Sequence, residues 1–230
     1  MIRSPIVETI ATAAAGAALA GVVGSLVGVA VPAAVVGGLN GAISGRRRIY
    51  DWRKATGVAA FALDSTWALT TTTAGLVAHG LAAVRGDAGY APALSERSNR
   101  HVYGRGFQPR KGFAVTLGNV VNGAGDVNNP RRAKLVTDHE DVHIWQARTL
   151  GPAYPALYLG WMIGGGAVGA LLWATTRRDE PLAKVVESCA YYVNPFEWWA
   201  YSRDDHWPPA GKVDQLGWKQ PAVRSFASSR

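Results

Sequence analysis

Long apolar runs separated by short polar ones dominate the chain. From Thr9 to Gly45 no side chain is charged. A bilayer core is crossed by about 20 apolar residues, and a secretory apolar region is only about 7–15 long, so this run predicts membrane insertion. Pro32 interrupts it, which predicts a hairpin of two short helices; one long membrane helix is the plainer alternative. Residues 56–84 form a weaker run, rich in Ala and Thr, with Asp64 as its one charge. They predict a second membrane helix in which Asp64 turns toward other helices or water, or else a soluble helix packed on the region that follows. Residues 153–176 are apolar again, with Gly164, Gly165 and Gly166 in the middle and Arg177 and Arg178 just beyond.

Between these runs the pattern changes. Over 85–135 Gly, Asn, Pro and Arg dominate and no helical period is visible. The run from Phe113 to Val121 is β-branched enough for one strand or a short hairpin. Asn129-Pro130 reads as an N-cap followed by proline at the first helical position, and Gly151-Pro152 as a stop, predicting a helix over 130–150. The expected organisation is therefore a membrane segment (1–45), a basic loop (46–55), a second membrane helix (56–84), a folded domain (85–209) containing the apolar segment 153–176, and an irregular tail (210–230). The fold class is mainly α with a small β element, anchored in a membrane.

Composition narrows the function classes. The 230 residues include 24 Lys and Arg against 16 Asp and Glu, a formal charge of +8, with charged residues only 17% of the total. That composition argues against disorder, which needs low hydrophobicity and high charge. Cys189 is the single cysteine, so intramolecular disulfides and cysteine-based zinc fingers are excluded. Arg46, Arg47, Arg48, Arg53 and Lys54 cluster around Tyr50 and Trp52 beside an apolar run, which suits a bilayer edge better than a nucleic acid. The positive-inside rule makes this loop cytoplasmic, and one span over 56–84 then places residue 85 onward on the outer face of a bacterial-type cytoplasmic membrane.

Glycines 24 and 28, 37 and 41, and 41 and 45 each stand four apart. Such small-xxx-small spacing lets helices approach closely in lipid. The segment resembles a glycine zipper, which implies lipid as a partner and a homo-oligomer formed through the Gly-rich helices.

The chemistry lies on the predicted helix over 130–150. Residues 139–143 read His-Glu-Asp-Val-His, an HExxH pattern. Positions i and i+4 share a helix face, so His139 and His143 can offer two imidazoles to one metal ion. Glu140, beside the first ligand, is placed to take a proton from a zinc-bound water. The motif continues as HEDVHIWQARTLG, with Gln146 on the ligand-bearing face. Gly118-Asn119-Val120-Val121 precedes it, and two Glu-x-x-Ala-Tyr segments follow. Over about 113–201 the chain resembles gluzincin-type zinc metallopeptidases, in particular small HExxH families whose motif runs on into Gln. The resemblance implies a third ligand from a downstream glutamate helix.

Two glutamates fit that pattern. Glu187 opens Glu-Ser-Cys-Ala-Tyr and Glu197 opens Glu-Trp-Trp-Ala-Tyr; Asn194-Pro195-Phe196 gives Glu197 the better helix start, so Glu197 is preferred. His206, and Tyr191, Tyr192 or Tyr201 as oxyanion donors, are weaker candidates, and Asp138 and Asp141 point off the ligand face. A membrane span at 153–176 would separate His139 and His143 from Glu197. A re-entrant path bent at the triple glycine, or a buried helix pair, keeps the three together.

The expected function is a membrane-associated zinc metallopeptidase, with peptide or protein as substrate and the 113–121 strand binding it by strand addition. The alternative is a non-catalytic membrane-interaction or oligomerising protein with a structural or vestigial HExxH site.

Overall fold

The computed structural model describes residues 4–108, 112–213 and 216–223. The chain forms two compact units, Met1–Pro152 and Ala153–Arg230. Helices dominate both, and one small three-stranded sheet lies in the first.

The first unit begins with a helical hairpin, α1 (Pro5–Ser25) and α2 (Ala30–Arg46). Pro5 occupies the first turn of α1 and Pro32 the first turn of α2, where a proline costs no hydrogen bond. The reversal therefore falls at 26–29, with Gly28 at φ 75°, and not at Pro32. The helices meet through their small residues. A Cβ on Gly16 would stand 2.4 Å from the carbonyl oxygen of Gly37, and one on Gly41 would stand 2.2 Å from that of Thr12. Of the four-apart glycines, Gly24, Gly37, Gly41 and Gly45 are thus taken up inside this hairpin, while Gly28 serves its turn.

The run 56–84, expected as one membrane helix, is two helices: α3 (Ala55–Asp64) and α4 (Leu69–Arg85). Neither has the length of about 20 residues that a span requires. The break has a local cause. Thr72 Oγ1 donates to the carbonyl of Asp64 at 2.9 Å, while the amide of Ala68 turns back to Leu63 at 2.8 Å.

After α5 (Pro92–Ser95) come β1 (His101–Val102), β2 (Val115–Leu117) and β3 (Val120–Asn122). The order is β1-β3-β2, with β1 parallel and β2 antiparallel to β3, so the expected short hairpin is present and β2 is an edge strand. Gly118 makes the turn with φ 58°. The helix over 130–150 is continuous but changes pitch: α6 (Pro130–Lys134), a π-helical turn (Leu135–His139) and α7 (Glu140–Leu150). Val136 and Ile144 pack with Val102, Val121 and Ala124, fixing this helix on the sheet. Asn129 accepts from the Arg131 amide at the start, and Gly151 ends the helix at φ 53°.

The second unit is also a hairpin. α8 (Ala153–Thr176) runs straight through Gly164–Gly166, so the bend expected at the triple glycine is absent. The chain returns as α9 (Leu182–Glu187), a π-helical turn (Ser188–Tyr192) and α10 (Pro195–Arg203). Glycine serves the close approach here: a Cβ on Gly165 would stand 2.5 Å from the Cys189 carbonyl oxygen, and one on Gly169 2.9 Å from Val186 Cα. Tyr154 and Tyr158 meet Phe196 with ring centroids 5.4 and 5.9 Å apart. Glu197, next to Phe196, therefore lies at the end of α8 where that helix begins. The described part of the tail, 210–213 and 216–223, carries no helix or strand. Residues 214–215 and 224–230 lie outside the described residues.

Among the described helices, α1 and α8 are long and apolar enough to cross a membrane.

Candidate metal centre

The π-helical turn delivers His139 to the start of α7, and His143 follows one α-turn later. Single π turns inside α-helices are frequent at functional sites. Both imidazoles are buried, and their Nε2 atoms are 3.3 Å apart. Two nitrogens each about 2.05 Å from zinc, at a tetrahedral angle, stand about 3.3 Å apart. The pair is spaced as two ligands on one tetrahedral metal ion would be. His143 Nδ1 lies 2.9 Å from Gln146 Oε1. A carbonyl oxygen accepts, so Nδ1 carries the proton and Nε2 keeps its lone pair for a metal.

Glu140 is buried beside the pair, and the Thr116 hydroxyl donates to its Oε2 at 2.8 Å. Thr116 sits on β2, so the edge strand fixes the carboxylate of the HExxH glutamate. In the second unit, Asn194 accepts from the Phe196 amide at 3.1 Å and Pro195 opens α10, the helix start that the sequence suggested. This places Glu197 in the first turn, buried, with Tyr158 donating to its Oε1 at 2.7 Å. The ligand atoms of His139, His143 and Glu197 all lie within 4.8 Å of one another, and this buried group is able to hold a metal ion.

No family model, curated protein or solved structure matches this chain.

The other candidates have different surroundings. Glu187 accepts from Lys212 Nζ at 3.2 Å. Asp141 pairs with Arg100 at 2.5 Å, and Asp138 accepts from Thr137 at 2.8 Å. His206 is exposed. Tyr201 is half-buried; burial, and after it the charge of Glu197, push its phenol up, which keeps it a proton donor.

Four residues that the sequence did not single out for the site support it: Thr116, Tyr158, Asp64 and Arg148. Arg148 lies on α7, five residues after His143. Its Nε and Nη2 donate to Asp64 Oδ1 and Oδ2, both at 2.8 Å, with both side chains buried. Tyr50 donates to the same carboxylate at 2.9 Å and Asn119 at 3.2 Å. Asp64 was expected to face other helices or water; it does face another helix, from the end of α3, and anchors the HExxH helix through Arg148. The one sequence signal was a lone carboxylate in an otherwise uncharged run.

Proposed function

We propose that the protein is a zinc metallopeptidase of gluzincin-like design, held at a membrane, that hydrolyses peptide bonds. The observation that carries the reading is the 3.3 Å approach of the two histidine Nε2 atoms beside buried Glu140, with Glu197 completing a three-ligand group. Zinc bound there supplies Lewis acidity, polarising a carbonyl oxygen and lowering the pKa of water toward neutrality.

The chain's own groups do the rest. Gln146 sets the tautomer of His143, and Tyr158 sets the rotamer of Glu197. Glu140 takes a proton from the attacking water and passes it to the departing amine. Thr116 holds the Glu140 carboxylate from β2. Because β2 is an edge strand, an extended substrate can pair with it and bring its scissile carbonyl past Glu140.

The test is Glu140→Gln. It should keep zinc and lose hydrolysis of a peptide library. A protein that binds zinc but cleaves nothing in either form would favour the non-catalytic alternative, a membrane-interaction protein with a vestigial site.

A further inference from the structure

The hairpin α1–α2 presents apolar side chains to the outside on both helices and at its tip. Ile6, Ile10, Val22, Leu26, Val31 and Val35 are each more than half exposed. Its polar side chains, by contrast, are bonded internally. Thr9 donates to Pro5 O, Thr12 to Glu8 O and Gly41 O, and Ser25 to Val22 O. Asn40 donates to Tyr50, and Ser44 bonds Asn40 and His101. Hydrocarbon demands this arrangement, since it satisfies no donor or acceptor. At about 1.5 Å per residue, the part of α1 beyond Glu8, Thr9 to Ser25, reaches about 26 Å, most of the hydrocarbon thickness of about 30 Å.

The hairpin has one charged end. Gly45 lies against Glu8, Gly41 against Thr12, and Gly37 against Gly16, so the helices are antiparallel and both α1 and α2 meet the charges at the same end. There Glu8 is buried and held by Arg97 at 2.6 and 2.7 Å and by Trp52 Nε1 at 2.8 Å. Arg46, Arg47, Arg48, Arg53 and Lys54 follow this base in the chain, with Arg48 3.8 Å from Glu8, and the tip at 26–29 carries no charge.

The basic loop is also part of the body that carries the HExxH helix. Arg47 donates to Tyr103 at 2.7 Å, the Arg97 and Asn99 amides donate to the carbonyls of Arg48 and Ile49, and Arg148 on α7 pairs with Asp64. With 56–84 folded as α3 and α4 inside this body, no helix among the described residues of 47–152 is long and apolar enough to cross a bilayer.

We infer that α1–α2 is a lipid-inserted hairpin that enters from the cytoplasmic face, and that His139, Glu140 and His143 lie on that same face. The surface of α1–α2 takes the hydrocarbon of a bilayer, and the Arg-rich base takes anionic headgroups. The inference rests on the membrane half of the proposed function and not on its metal chemistry. It reverses the outer-face location that a span over 56–84 implied, and it makes the enzyme's substrates ones that reach the cytoplasmic side of the membrane.

The test uses the full chain with Cys189→Ser and single cysteines at Thr56, Ala93 and Asn128, all exposed. In bacterial cells producing each variant, all three should resist a membrane-impermeant maleimide and react once the membrane is opened. A cysteine at Val22 carrying an environment-sensitive fluorophore should give a blue-shifted emission, quenched by spin-labelled lipid, in phosphatidylethanolamine–phosphatidylglycerol vesicles; one at Asn128 should not. Labelling of 93 and 128 on intact cells with 56 protected would restore the span and overturn the inference, as would labelling of all three. A water-like spectrum at 22 would overturn the insertion itself. Neither readout involves zinc, so a failure of the metal reading leaves this pattern untouched, and the reverse also holds.

Discussion

Asp64→Ala is the most severe single change the fold offers away from the ligands. The Asp64 carboxylate receives four hydrogen bonds: two from Arg148 at 2.8 Å, one from Tyr50 at 2.9 Å and one from Asn119 at 3.2 Å. Removing the carboxylate leaves a buried guanidinium with no counter-charge, at a cost of about 3–5 kcal/mol. The Tyr50 hydroxyl loses its acceptor as well, for about 1–3 kcal/mol more. Asn119 keeps a bond to Asn40 at 3.0 Å and adds little. Against a typical stability of about 5–15 kcal/mol, this removes a large share. Arg148→Met should cost a similar amount, because it strands the carboxylate. The double variant Asp64→Leu/Arg148→Met removes both charges and should recover at least about 2 kcal/mol of the summed losses. Urea unfolding in mild detergent, followed by the fluorescence of the nine tryptophans, reads all three. Single losses below about 1 kcal/mol, or losses that simply add in the double variant, would refute the view that this pair anchors the HExxH helix.

Other consequences follow from the same geometry. Gln146→Leu removes the acceptor that sets the His143 tautomer and should weaken zinc about 10–100-fold in chelator competition, with Glu140→Gln near wild type. Tyr158→Phe should weaken zinc less than Glu197→Ala does, because the ligand stays and only its orientation is freed; equal losses would mean that Tyr158 does more than orient it. Gly37→Leu forces a side chain into the Gly16 backbone and should cost at least about 1–3 kcal/mol in the same urea assay. Acid should destabilise the fold through His79 and His101, which face each other with Arg47, Tyr90 and Tyr103 around them. Burial, and then the charge of Arg47, lower His79 to about 3; burial, and then His79, hold His101 well below its usual value. The unfolded chain protonates both near about 6.5, so below that pH it binds more protons and stability falls as pH falls, by about 1.4 kcal/mol per unit for each histidine. His79→Gln should flatten that slope, and an unchanged slope would contradict it.

Local signals were the legible ones. Asn129-Pro130 and Gly151 bracket the helix over 130–150, and Asn194-Pro195 starts α10, because capping and proline geometry act within a few residues. The HExxH pairing follows from helical spacing alone. Hydropathy was less faithful. It cannot tell lipid from protein interior, so 56–84 read as a span although Asp64 and its turn divide it. The triple glycine suggested a bend; only the returning chain, with Cys189 and Val186 against Gly165 and Gly169, shows that close packing is its use. Thr116, Tyr158 and the Asp64–Arg148 pair were not legible, because each acts on a residue 24 or more positions away, and no local pattern encodes such a contact.

The most direct test of the central claim is zinc binding by the full chain and four variants, read as metal content after desalting and as the X-ray absorption spectrum of the bound ion. Wild type should retain about one zinc per chain, coordinated by two imidazoles and oxygen with no sulfur. His139→Ala, His143→Ala and Glu197→Ala should each lose it, and Glu187→Ala should keep it. Wild-type protein without zinc after loading, or zinc that survives Glu197→Ala and is lost in Glu187→Ala, would contradict the account.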